Sequence, residues 1–97
     1  LGLLLAEKKR YGEAAQYLAA AAHGMPDHAR VHYNLGVLLD YLGKDLEAEK
    51  ALLRTLEIEP ENISFLTAAA QYYIKRRQYE KAEVLTERIA TLKTKAH

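Results

Sequence analysis

The feature that most constrains this chain is a spacing. Residue size recurs at an interval of 34 positions: Pro26 and Pro60, Gly2, Gly36 and Ala70, Leu5, Leu39 and Tyr73, Ala14, Ala48 and Ala82, Leu18 and Leu52. Tyr11 and Tyr79 stand two such intervals apart, with Asp45 between them. A fixed period of this length marks a chain built by stacking one supersecondary unit on the next. The complete copy runs from Ala29 to Asn62, with a partial copy over residues 1–28 before it and a last copy over residues 63–97.

Packing explains why size, rather than chemistry, repeats. Gly2, Gly36 and Ala70 in the first helix of each unit, and Ala14, Ala48 and Ala82 in the second, are small where two helix backbones approach closely. A larger side chain there wedges the helices apart, at about 1 to 3 kcal/mol for overpacking. Leu35, Leu38, Leu39, Leu42, Ala48, Ala51, Leu52 and Leu56 supply apolar stripes at three- and four-residue spacing. Each copy is therefore predicted to be a helical hairpin. One hairpin leaves an apolar face open, so neighbours stack and share a core.

In the complete copy, Leu35-Gly36, then Leu39, Ala48, Leu52 and Pro60 carry a pattern that resembles the tetratricopeptide repeat, and the resemblance extends over essentially the whole chain. It implies an all-α fold of stacked antiparallel helical hairpins in a right-handed superhelix, with nearly three 34-residue repeats. Three positions depart from the pattern. His32 stands where the family most often has Trp, Thr55 where it prefers Ala, and Thr86 where a large apolar residue matches Leu52.

Six helices are expected, the first of them shortened. Arg10-Tyr11-Gly12 reads as a turn, followed by a helix from about Gly12 or Glu13 to Ala22 that ends at Gly24-Met25-Pro26. Asp27 is the expected cap of the next helix, and Leu42-Gly43 its stop. A helix then begins at Asp45 and ends before Pro60, Asn62 caps one reaching about Lys75 or Arg76, and the last runs from Tyr79 to about Lys93. Leu1-Gly2 already corresponds to the middle of a helix, so the chain reads as a single domain that is a fragment of a longer protein.

Composition bounds the function. With 49% apolar and 28% charged residues, the chain is an ordered globular one. It has no cysteine, so it offers neither a disulfide framework nor thiolate chemistry, and its compartment stays open. Leu1 to Ala6 is too short to span a bilayer, and its cations follow where a signal peptide has them precede, so no membrane insertion by this segment is expected. The net charge of +1 conceals an acidic stretch over residues 27–62 and a basic one over residues 63–97. Lys75-Arg76-Arg77 is too short to carry nucleic-acid binding.

No catalytic constellation emerges. His28 and His32 share a helix face, yet lack the intervening Glu of a metalloprotease, and neither His23 nor Asp27 completes a tetrahedral set. A packed, hydrogen-bonded imidazole is the expectation for His32. Glu47, Glu49, Glu57 and Glu59 read as solvated. No metal, no cofactor and no enzyme activity are expected.

The resemblance implies that the first helices line the inner wall and that function lies there. Its groove positions fall on Leu3 and Ala6, on Arg30, Tyr33, Asn34, Val37 and Asp40, and on Ser64, Thr67, Ala68 and Gln71. The expected partner is a protein or peptide, extended or helical. The carboxylate clamp known in this family is disfavoured: only Asn34 matches it, while Leu3, Ser64 and Ala68 stand in place of its Asn, Lys and Arg. A structural segment that self-associates, as a homo-oligomer or by docking within a longer chain, is the alternative, with Val84, Leu85, Ile89 and Leu92 as a candidate bare strip.

Overall fold

In a computed structural model that describes residues 5–95, and side chains over residues 7–95, all regular structure is helical. Five helices follow one another: α1 Leu5–Gly24, α2 Ala29–Tyr41, α3 Asp45–Ile58, α4 Ile63–Lys75 and α5 Tyr79–Lys95. No strand occurs among the described residues. The helices fall into two compact units, one ending at Ile58 and the other beginning at Glu59.

The first unit is organised around the antiparallel hairpin of α2 and α3. Its turn is closed by Gly43, at φ +80°, with the Lys44 N–H donating to the Leu39 carbonyl at 2.9 Å and the Gly43 N–H to Asp40 at 3.0 Å. Glycine adopts this left-handed conformation without the Cβ clash that other residues suffer. The hairpin closes on small residues: a Cβ built on Gly36 would lie 2.9 Å from Leu52 Cγ and 3.3 Å from Ala51 Cβ. Ala48 is fully buried, with Leu39, Ala51, Leu52 and Leu56 around it in the core. Thr55 is buried too, and its hydroxyl donates to the Ala51 carbonyl at 2.9 Å, so the polar atom is not left unpaired.

Two sequence expectations fail in this unit. The turn at Arg10-Tyr11-Gly12 is absent, and a single helix runs from Leu5 through Gly24, giving five helices among the described residues where six were expected. The position that matches Gly43 is Lys9, and reversing the chain there would require a left-handed lysine, at about 1 to 2 kcal/mol. The continuous helix avoids that cost. Nor does Asp27 cap α2: the cap is His28, in an extended conformation with no side-chain bond to the helix. Asp27 sits one residue too early to reach the free N–H groups, and its carboxylate lies instead 3.5 Å from the Arg54 guanidinium.

In the second unit, the Asn62 side chain accepts the Phe65 N–H at 3.1 Å, as the sequence predicts for the cap of α4. The turn into α5 repeats the earlier one with a different residue. Arg77 takes φ 60°, its N–H donates to Ile74 at 2.9 Å, and the Gln78 N–H donates to Tyr73 at 2.9 Å. Phe65, Leu66, Ala69, Ala70, Tyr72 and Tyr73 are buried on α4, and Ala82 and Leu85 on α5. The adjacent rings of Tyr72 and Tyr73 meet edge to face at 5.3 Å, and the Arg76 guanidinium lies 4.0 Å from the Tyr72 ring centre. Thr86, in the slot of Leu52, is exposed and spends its hydroxyl on the Glu83 carbonyl.

Candidate functional site

Helical periodicity turns Ala29, Gly36 and Leu39 of α2 into the core and leaves Arg30, Asn34, Val37 and Tyr41 facing solvent. There Tyr33, Asn34, Val37, Leu38 and Tyr41 join Tyr11 of α1 in lining an open cleft of about 400 Å³. The rings of Tyr11 and Tyr41 meet edge to face, 5.1 Å apart at 70°. Tyr11, Val37 and Tyr41 remain between 39% and 50% exposed, so the cleft is an apolar surface facing solvent. Desolvation, then the neighbouring Tyr11, then the charge of Glu7 push the Tyr41 hydroxyl above the ordinary phenol range. It therefore stays protonated, and a donor, through neutral pH.

Of the side chains expected from the sequence, Tyr33, Asn34 and Val37 gather in this cleft. Arg30 lies beside it, its guanidinium 5.7 Å from the Tyr33 ring centre, while Asp40 is half-buried and does not line the cleft. In the second unit, Ser64 and Gln71 are exposed on α4 and Ala68 is half-buried. The Thr67 hydroxyl donates to the Ile63 carbonyl at 2.8 Å, which commits its proton to its own helix. Leu3 lies outside the described residues, as does the side chain of Ala6.

The sequence placed Tyr11 in a turn and Leu38 in the core stripe and did not single out Tyr41, so these three were not among the expected groove residues. The signal was present. One period after Tyr41 stands Lys75, and one period after Tyr33 stands Thr67, so the hairpin does not need an aromatic at either place.

A second, larger cleft of about 960 Å³ separates α1 from α3, floored by Leu35, Leu39 and Leu42 of α2. The short side chains of Ala15, Ala19 and Ala22 on α1 leave it unfilled, and Lys9, Lys44 and Lys50 are among the residues on its edge. At one end, the Pro26 carbonyl accepts the His32 Nε2–H and an Arg54 Nη2–H, both at 3.1 Å. His32 is thus a hydrogen-bonded imidazole tying a loop. Among the described residues, no three His, Cys, Asp or Glu side chains are grouped to hold a metal. No described helix is long and apolar enough to cross a membrane.

The strip expected on the last helix is only partly bare: Val84 is 59% exposed, but Leu85 is buried and Ile89 and Leu92 are half-buried. Leu85 stands one period after Ala51, which is buried in the same way. A clearer uncovered face belongs to α1, where Tyr17 is 81% exposed.

Comparison with known proteins agrees with this architecture. The family model described as tetratricopeptide repeat matches residues 5–60. Among solved structures, MamA from Desulfovibrio magneticus RS-1 aligns with a TM-score of 0.83 at 21% identity, over 94% of this chain and 51% of that one. MamA of MSR-1 aligns at 0.79 with 26% identity, over 91% and 51% of the two chains. MamA of AMB-1 aligns at 0.77 with 28% identity, over 86% and 49%. The chain therefore spans about half the length of these MamA structures. Among curated proteins, no sequence matches.

Proposed function

The chain belongs to the tetratricopeptide-repeat family, and from that premise we propose that it is a non-catalytic interaction module that binds a peptide or a helix on the solvent-facing side of α2, a first helix of the kind the family uses for its inner wall. The observation that carries the reading is the solvent-facing cleft in which Tyr33, Asn34 and Val37 stand together with Tyr11 and Tyr41. Aromatic anchors supply contact area at little entropic cost, and an amide supplies direction. Arg30 on the same helix, with its guanidinium 5.7 Å from the Tyr33 ring centre, is a secondary contact in this reading. One cleft of this size supports a dissociation constant on the order of micromolar rather than nanomolar. The test is the double variant Tyr33→Ala, Asn34→Ala: binding of a captured partner is expected to disappear while helicity by circular dichroism persists. Unchanged binding would move the site off α2.

The uncovered face of α1 supports a second reading, self-association. Tyr17 occupies the slot that Ala51 fills in α3, yet is 81% exposed where Ala51 is 7%. In this reading, mass measured by light scattering rises with concentration and falls in Tyr17→Glu. A constant monomer mass at high concentration counts against it.

A further inference from the structure

The larger cleft of the first unit is a gap that the fold leaves open. α1 and α3 each pack on α2 but scarcely on each other, so a trough of about 960 Å³ runs over α2 between them. Its floor is Leu35, Leu39 and Leu42, a stripe of α2 at four- and three-residue spacing, and Leu35 and Leu42 are only half-buried there. On the α1 wall, Ala19 is exposed. The trough shares no lining residue with the tyrosine cleft.

Charge is unevenly placed around it. Residues 27–62 are acidic as a whole, with eight carboxylates against four cations. Three of those cations, Lys44, Lys50 and Arg54, line the trough, whereas Glu47 is the one carboxylate of the eight that does. The α1 wall adds Lys9 and Glu13. Arg54 is engaged by the Pro26 carbonyl and by Asp27, but Lys9, Lys44 and Lys50 form no ion pair among the described residues. Because the chain reverses at both junctions, Lys9 and Lys44 both stand at the Leu42 end. An apolar floor edged by unpaired ammonium groups is complementary to an apolar surface edged by carboxylates.

Shape selects a helix as the occupant. The walls and floor are sides of helices, whose backbone groups are bonded within each helix, so the trough presents no edge for an extended strand to join. A helix needs no such edge, because it sets a ridge of its own apolar side chains into the groove between α1 and α3. The floor from His32 to Leu42 is about 15 Å long, roughly three turns of such a helix. We propose that this trough docks an acidic amphipathic helix of a partner protein, its apolar face on Leu35, Leu39 and Leu42 and its flanking carboxylates on Lys9, Lys44 and Lys50.

The probe is a fluorescently labelled helical peptide with leucines on one face and glutamates beside them, followed by anisotropy. Its controls are the same peptide with lysine for each glutamate, and a peptide of the same composition whose order gives it no apolar face. The glutamate peptide is expected to bind with an affinity on the order of micromolar to hundreds of micromolar, ahead of both controls, and to weaken as salt is raised. Ala19→Phe, which fills the trough from an exposed position, weakens binding about tenfold or more with helicity by circular dichroism unchanged. Lys9→Glu combined with Lys44→Glu turns the preference towards the lysine peptide, a reversal that loss of folding does not produce. No binding of the glutamate peptide, equal binding of the two charge forms, or binding indifferent to Ala19→Phe overturns the proposal. Binding that is lost in Tyr33→Ala, Asn34→Ala but kept in Ala19→Phe puts the peptide in the tyrosine cleft, so this inference falls while the α2 reading stands. A peptide-free mass that rises with concentration and falls in Ala19→Phe gives the trough to a second copy of this chain, which also overturns it.

Discussion

Lys9 and Gly43 occupy the same place in the 34-residue spacing, yet α1 runs straight through one while the chain reverses at the other. The consequence appears on the helix that follows each. In α3, Ala48, Ala51, Leu52 and Thr55 are between 0% and 7% exposed, because α2 folds back over Gly43 to cover them. The matching residues of α1 are Ala14, Tyr17, Leu18 and Ala21; Tyr17 stands in solvent and the other three are only half-buried. Apolar stripes and small slots at the right spacing are thus necessary for the hairpin but not sufficient. The turn decides whether a stripe becomes core.

The sharpest test of that contrast compares two leucines one period apart. Leu52→Ala is expected to destabilise by about 2 to 5 kcal/mol, as a large-to-small change in a close-packed site, and Leu18→Ala by less than about 1 kcal/mol, both from urea unfolding. Equal losses would mean that the face of α1 is covered after all. Gly36→Val should cost about 1 to 3 kcal/mol, because its Cβ meets Leu52 Cγ inside contact distance. Gly12 gives the opposite sign. A Cβ added there meets nothing within 4 Å, so Gly12→Ala stabilises a continuous α1 by about 0.5 to 1 kcal/mol. Destabilisation by that change would place a turn at Gly12. The smallest effect compares Lys9 and Arg77, two periods apart: Lys9→Gly loses about 1 kcal/mol or less inside a helix, while Arg77→Gly gains a few tenths by relieving φ 60°. Thermal unfolding that gives the two changes one sign would refute the assignment of the two conformations.

Most of the fold was legible because it depends on spacing and on side-chain size. The bounds of α2 to α5, the glycine stop at Gly43 and the Asn62 cap all follow from signals within a few residues of where they act. The straight passage through Lys9 was not legible in the same way. It reflects a competition between a strained turn residue and the packing the turn would secure, and Arg77 shows that a non-glycine residue does turn when its neighbours reward it. For the site, the family pattern pointed to α2 and to Tyr33, Asn34 and Val37. Tyr11 escaped notice because its place in the cleft depends on the course of α1, and Tyr41 because a tyrosine near a helix end reads equally as packing. The Asp27 cap was misjudged by one position: His28 holds the cap, and the Asp27 carboxylate, one residue too early for the free N–H groups, lies near Arg54 instead.

Arg54 also bears on how the first unit comes apart. The Pro26 carbonyl is held at once by His32, six residues away, and by Arg54, 28 residues away, so the junction of α1 and α2 is pinned to α3 across an otherwise open cleft. Release of the loop gives up both hydrogen bonds at once, which couples the end of α1 to α3. The amides of the last turn of α1 are therefore expected to exchange with solvent at the pace of the α2–α3 hairpin rather than at the pace of α1's own first turns. A polar knot at one carbonyl would in this way tie the end of α1 to the opening of the hairpin behind it.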